Sequence, residues 1–243
     1  MGSHTDEIYR LYWIPGTCAR VIYVALQEVG APYEVVLVDR QKGPTPEYLE
    51  VNPKGKVPAL EVGPLVITEN PAIQTFLARR HPEAGLLPTE GQPGVEALET
   101  ISWFAAGIHR FITPMRFPRM FCDLEQAWPS IRATARAELE RAFAIVERRL
   151  AGRDWILNEW SLADVHLLWL WFRATGSGMD GSQFPRCIAH AARCEARPSV
   201  AFVLDREEEE FARLRAAGLV RAVVPNSQVP DFQVGRAPLY STA

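Results

Sequence analysis

The feature that most limits the fold of this chain is Pro15-Gly16-Thr17-Cys18, set between two apolar segments of different period. Ahead of it, Ile8 to Trp13 is a short apolar run that reads as a strand. After it, Val21 to Val29 is apolar at nearly every core-facing position and reads as a helix. Pro15 and Gly16 end the strand and turn the chain. Beyond the break at Gly30-Ala31-Pro32, Tyr33 to Val38 is β-branched and aromatic, a second strand. Strand, helix and strand over this length predict a parallel βαβ unit with a right-handed crossover. The spacing also places Cys18 in the first turn of the helix. Unpaired backbone N–H groups there carry partial positive charge, which favours a thiolate and predicts a cysteine pKa below its free value. Taken alone, a cysteine beside a turn is more simply a small buried side chain.

The next segments extend the first half. Asn52-Pro53-Lys54-Gly55-Lys56-Val57-Pro58-Ala59-Leu60 leads into a strand, and its Val57-Pro58 bond is expected to be cis. Leu65-Val66-Ile67 is a further short strand, and Glu69-Asn70-Pro71 opens a helix, with Asn70 as N-cap and Pro71 at the first helical position. His81-Pro82 ends that helix. The stretch 86–93 reads as a linker. From there the period is helical: Val95 to His109, Arg132 to Leu150, Val165 to Phe172, Arg186 to Glu195 and Ser199 to Ala216. Ser161-Leu162-Ala163-Asp164 has the form of a capping box, with Asp where Glu is usual, and its role is structural. The organisation expected is an α/β unit over 7–85, the linker, an all-helical unit over 94–217, and an extended tail over 218–243.

The 243 residues suffice for one large domain or two small ones. A net charge of −3 points to neither a nucleic-acid groove nor an anionic membrane surface. Cys18, Cys122, Cys187 and Cys194 show no C-x-x-C spacing, which argues against a zinc cage and a dithiol redox pair, so no metal is expected. No signal peptide and no apolar run of membrane length is read in the chain. A reducing, cytoplasmic setting is the expectation.

An α/β half followed by a helical half, with Pro15-Gly16-Thr17-Cys18, Asn52 to Leu60, Thr68-Glu69-Asn70-Pro71-Ala72-Ile73 and Ser161 to Asp164 in that order, resembles the soluble glutathione transferases over roughly Ile8 to Leu214. A fifth segment, Ile108-His109-Arg110-Phe111-Ile112-Thr113-Pro114, resembles the bacterial beta class, in which such a helix brings a histidine toward an active-site cysteine. The resemblance implies a thioredoxin-like N-terminal domain, a helical C-terminal domain, a homodimer, and glutathione as co-substrate. It implies Cys18 and His109 as catalytic residues. It implies glutathione contacts at Val57, Pro58, Glu69, Asn70, Lys56 and Ser102. Asn70 stands where the family usually has Ser, and Ser102 where the beta class often has Asn.

The chemistry of the ligand agrees. A peptide backbone is read by an exposed strand edge, here at Val57-Pro58. The γ-glutamyl carboxylate suits the helix N-terminus at Glu69-Asn70, and its amine an acceptor such as Glu69. The glycyl carboxylate meets Lys42, Lys54 or Lys56. Tyr12, Trp103, Met115 and Phe117 are expected to wall a pocket for an electrophilic second substrate between the halves, with Tyr12 and Thr17 as reserve hydroxyls. The activity expected is transfer of the glutathione thiolate to an electrophilic carbon or a disulfide sulfur. A lyase or etherase, a dehalogenase, an isomerase, or a non-catalytic binding protein on the same fold are the other readings.

Overall fold

The structure, a computed structural model, describes residues 8–38 and 44–218. Most of the expected tail, and Lys42, lie outside the described residues. Strand β1 (Tyr9–Trp13) runs into helix α1 (Arg20–Val29), then strand β2 (Tyr33–Leu37) and the short helix α2 (Pro46–Val51). Strands β3 (Ala59–Val62) and β4 (Leu65–Thr68) follow, then helix α3 (Asn70–Arg80). The sheet order is β2-β1-β3-β4, with β1 parallel to β2 and the other pairs antiparallel. This is a thioredoxin-like arrangement, and the parallel βαβ unit is present. Along β1, Tyr9, Leu11 and Trp13 are buried in the core, whereas Arg10 and Tyr12 face the other way.

The connector is not a loose tether. Leu86 and Leu87 are buried, and the Leu86 carbonyl accepts from the Leu162 N–H at 2.8 Å. Helix α4 (Gly91–Ser102) starts within the stretch expected to be linker. It continues as one turn of π-helix, Trp103–Ile108, and then as α5 (His109–Arg116). Helices α6 (Trp128–Arg149), α7 (Leu162–Thr175), α8 (Pro185–Glu195) and α9 (Pro198–Ala216) complete the described chain.

Helix α7 is apolar on every side and buried from Leu162 to Ala174, as befits a central helix. Its start is fixed by Asp164, which is fully buried. Asp164 accepts from the Ile156 N–H at 2.8 Å, the Ser161 N–H at 2.9 Å and His190 Nε2 at 2.8 Å. The Ser161–Asp164 box therefore has the structural role expected of it. Helix α1 packs between the sheet and the helical half. Its Arg20, 2% exposed, is held by Glu207 of α9, with Nη2 to Oε2 at 2.5 Å, and lies over the Phe172 ring at 4.8 Å. These contacts hold the two halves together, with the β1–α1 turn against α7.

Candidate active site

Cys18 lies two residues ahead of α1, in a turn and not in the helix. The Thr17 hydroxyl shapes that turn by donating to the Ile14 carbonyl at 2.6 Å, which occupies the reserve hydroxyl. From the helical half, the Trp169 indole N–H donates to the Gly16 carbonyl at 3.1 Å. The Cys18 carbonyl accepts from the Asn70 Nδ2 at 3.1 Å, and the Cys18 thiol donates to the Val57 carbonyl at 3.6 Å. The sulfur therefore sits between the β1–α1 turn, the residue before cis-Pro58, and the start of α3.

The expectation of a low cysteine pKa is corrected by the fold. Burial pushes the Cys18 thiol up to about 12, and the charge of Glu69 adds to the rise. A hydrogen bond from its own backbone, the charge of Arg173 and the Asn70 amide oppose it. The sulfur packs against the apolar core, where removal from water outweighs the helix field.

Asn70 is corrected as well. The N-cap of α3 is Glu69, and Asn70 is the first helical residue, 6% exposed, with its side chain turned to the Cys18 turn. Its Oδ1 is buried without a hydrogen-bond partner. Glu69 holds φ 73, a left-handed conformation that a non-glycine residue occupies at a cost of about 1–3 kcal/mol. Its carboxylate is exposed and meets Lys54 Nζ at 2.7 Å, and that ammonium also donates to Thr68.

His109 begins α5, and its ring stands edge-on to Trp169 at 4.5 Å. Burial first, and then the charge of Arg173, push its pKa down to about 4, with Glu69 opposing. Cys18 and His109 thus respond to the same two charges, one from α3 and one from α7. Neighbouring His166, fully buried and 3.4 Å from the Gln74 amide, is pushed down to about 3 by burial and by His109. Both histidines therefore stay neutral in the folded chain where the unfolded chain takes up protons. The stability they allow is complete above pH 6.5, the ordinary histidine value, and is lost as the pH falls toward 4 and 3. We expect the melting temperature to fall steadily below pH 6.5, with a loss of roughly 2–4 kcal/mol by about pH 5. A melting temperature unchanged between neutral pH and about pH 5 would contradict this.

The other expected site residues have surroundings of their own. Ser102 is exposed. Seven residues of α-helix would align it with His109, but the intervening π turn holds more residues per turn and shifts that phase. The Lys56 side chain is exposed, and its carbonyl accepts from Tyr48 and Asn52. Tyr12 sits on the sheet face away from the core, tilted against Tyr48 at 5.3 Å, with its hydroxyl donated to Glu61 at 2.9 Å. That hydroxyl is committed, so Tyr12 is not a spare donor at the Cys18 turn. Met115 is 1% exposed inside the core and forms no open wall. Trp103 packs beside Gly107 and under Arg149 of α6, and Phe117 lies under Arg116.

Trp169 and Arg173 were missed in the sequence. One signal is in the sequence: Arg173 is the arginine in the last turn of a largely apolar helix, one turn from Trp169. Among the described residues, no cluster of His, Cys, Asp and Glu could hold a metal ion. Nor is any helix among them long and apolar enough to cross a membrane.

The sequence profile of the glutathione S-transferase N-terminal domain matches residues 8–79. A glutathione S-transferase from Escherichia coli O157:H7 is 29% identical over 206 residues, covering 82% of this chain and 98% of that protein. A sphingomonad glutathione S-transferase, solved in complex with glutathione, is 32% identical with a TM-score of 0.73, covering 82% of this chain and 98% of that one. The bacterial beta class enzyme of Sphingomonas chungbukensis superimposes with a TM-score of 0.72 at 28% identity, with the same coverage. With its fold, its cysteine-bearing turn and these relatives, the chain belongs to the soluble glutathione S-transferase family and is most similar to the bacterial beta class.

Proposed function

We propose that this transferase binds reduced glutathione beside Cys18 and passes its sulfur to a small electrophile. The observation that carries the reading is the meeting of three backbone corners at one sulfur. Asn70 ties the start of α3 to the Cys18 carbonyl, Val57 accepts from the Cys18 thiol, and Glu69 holds its strained φ of 73 next to both. Strain of this kind concentrates where a ligand is gripped. The start of α3 offers backbone N–H groups to the γ-glutamyl carboxylate. Glu69, whose pairing with Lys54 is solvent-exposed and weak, is able to exchange that partner for the γ-glutamyl amine.

In this reading Cys18 is a neutral thiol, and so a hydrogen-bond donor to the glutathione thiolate. The thiolate attacks an electrophilic carbon, a C–S bond forms, and the leaving group departs with the bond pair. A second reading is favoured by the residue type itself. Cys18 is a free, partly exposed cysteine, able to form a mixed disulfide with glutathione as a hydroxyl cannot. His109 stays neutral, with its ring against Trp169, and is assigned a hydrogen-bonding role. Phe117 is kept as a wall of the second-substrate pocket.

A homodimer fits the surface. Leu65 and Val66 on β4, and Val95 and Leu98 on α4, are exposed apolar side chains. Between α3 and α4 lies a groove lined by Pro71, Ala72, Phe76 and Leu98, with Thr75, Arg79 and Arg80 also on its wall. A second copy is the proposed cover. Free cysteines agree with a reducing, cytoplasmic setting, and a detoxifying role is proposed from the conjugation of electrophiles alone.

The test is retention on immobilised glutathione followed by turnover of a chromogenic aryl halide. Glu69→Ala and Asn70→Ala should each weaken glutathione binding by about 1.5–3 kcal/mol, roughly ten- to a hundredfold, through loss of a charged hydrogen bond. Unchanged affinity in both variants, measured calorimetrically, would reduce the two residues to helix-starting roles.

A further inference from the structure

We propose that Asn52 and Tyr48 are positioning residues for glutathione: together they set the turn 53–57, which carries Lys54 to Glu69 at one end and the Val57 backbone to the Cys18 sulfur at the other. The proposal deepens the glutathione reading and rests on it.

Asn52 caps the C-terminus of α2, where its N–H donates to the Tyr48 carbonyl at 2.8 Å. It is 1% exposed, and it spends its other polar groups on the residues that follow. Its carbonyl accepts from the Gly55 N–H at 2.8 Å, and its Oδ1 accepts from the Lys54 N–H at 3.1 Å. Its Nδ2 donates to the Lys56 carbonyl at 2.6 Å. The two side-chain contacts admit one orientation of the amide, since an N–H must face oxygen and a carbonyl must face nitrogen. Gly55 closes the turn at φ 60, and a Cβ there would lie 2.9 Å from the Pro44 side chain. The turn is therefore packed from outside as well as bonded from within.

Tyr48 reaches the same carbonyl from inside α2. Its hydroxyl donates to the Lys56 carbonyl at 2.5 Å, and its buried ring is tilted against Tyr12 at 5.3 Å. A carbonyl oxygen has two lone pairs, and here two donors take them. That fixes the peptide plane between Lys56 and Val57. In a planar trans peptide the N–H points opposite to the C=O, so the Val57 N–H is turned away from Tyr48 and Asn52. Backbone groups of this kind are what an extended peptide reads. The Val57 carbonyl, next in line, already meets the Cys18 thiol at 3.6 Å. At the other end of the turn, Lys54 reaches Glu69 at 2.7 Å and Thr68 at 2.9 Å. Glu69 is the group assigned to the γ-glutamyl amine. One buried amide and one buried hydroxyl thus set the spacing between the two grips on the peptide without touching it.

The experiment is calorimetry with reduced glutathione, together with steady-state turnover of a chromogenic aryl halide, on the full-length protein. Tyr48→Phe keeps the ring and removes only the hydroxyl. It should weaken glutathione binding about three- to tenfold, the worth of one hydrogen bond, with a melting temperature close to that of wild type. Asn52→Ala should weaken it tenfold or more; if that variant does not fold, Tyr48→Phe carries the test. The loss should appear as a raised KM for glutathione, with kcat and the KM for the aryl halide within about twofold of wild type. A packing defect alone would lower the melting temperature and leave the affinity of the folded protein as it was. Glutathione affinity in Tyr48→Phe equal to wild type, or a loss confined to kcat, would overturn the proposal. Failure of the glutathione reading would look different: wild type itself would give no heat of binding with glutathione.

Discussion

Replacing Asp164 with Ala should destabilise the protein by about 3–5 kcal/mol, the range for removing one partner of a buried ionic network. The carboxylate is fully buried and accepts from the Ile156 and Ser161 backbone, from the Ser161 hydroxyl at 3.2 Å and from His190. Ala would leave these donors without partners in the interior, each at a cost of about 1–3 kcal/mol before relaxation. The loss would fall on the start of α7, the helix that holds Trp169 against the Cys18 turn. Asn should recover part of the loss, because it keeps one acceptor oxygen. Urea unfolding gives the answer: a midpoint shift at constant slope of the stated size supports this account. A loss under about 1 kcal/mol would mean that the box is not what holds α7.

Cys18→Ser should abolish thiol–disulfide exchange, by on the order of a hundredfold or more, and leave conjugation of aryl halides within about tenfold of wild type. In exchange, the cysteine thiolate attacks a disulfide sulfur, a new S–S bond forms, and the other sulfur leaves as a thiolate. A serine hydroxyl cannot take that part. In conjugation the nucleophile belongs to glutathione, and Cys18 acts as a donor. The raised pKa of about 12 makes the neutral, donating thiol the resting form. A serine hydroxyl also donates, so the loss should be modest. Cys18→Ala removes the donor without replacement and should cost more. Exchange at the wild-type rate in Cys18→Ala would sink the assignment.

Local pattern made the frame legible. A β-branched run, a Pro-Gly break and a helical run gave the βαβ unit, and Val57-Pro58 is cis as expected. The apolar periodicity found the long helices of the second half, because a helix buried on one face or all round records that in its own residues. What escaped the sequence depends on residues far apart in it. The Gly16 carbonyl is bonded by Trp169, 153 positions away. No local signal marks that contact. Cys18 was given a depressed pKa from the helix field alone, whereas the core closing over the sulfur is a tertiary effect. Asn70 had the composition of a cap, but the bond on offer was the Cys18 carbonyl across the fold. The π turn at Trp103–Ile108 has no periodic signature strong enough to show that Ser102 and His109 are out of phase. Met115 suited an adaptable pocket wall and equally a core position, and packing between α5 and its neighbours chose the core.

The central claim is that glutathione sits with its sulfur against Cys18. Incubation of the full-length protein with oxidised glutathione, followed by proteolysis and mass spectrometry without reductant, tests it most directly. We expect a glutathione adduct on the Cys18 peptide, diminished in Glu69→Ala and Asn70→Ala. Cys122, Cys187 and Cys194 should remain unmodified, the last two being buried. An adduct confined to one of those three cysteines, or an adduct on Cys18 that forms equally well in both variants, would contradict the account.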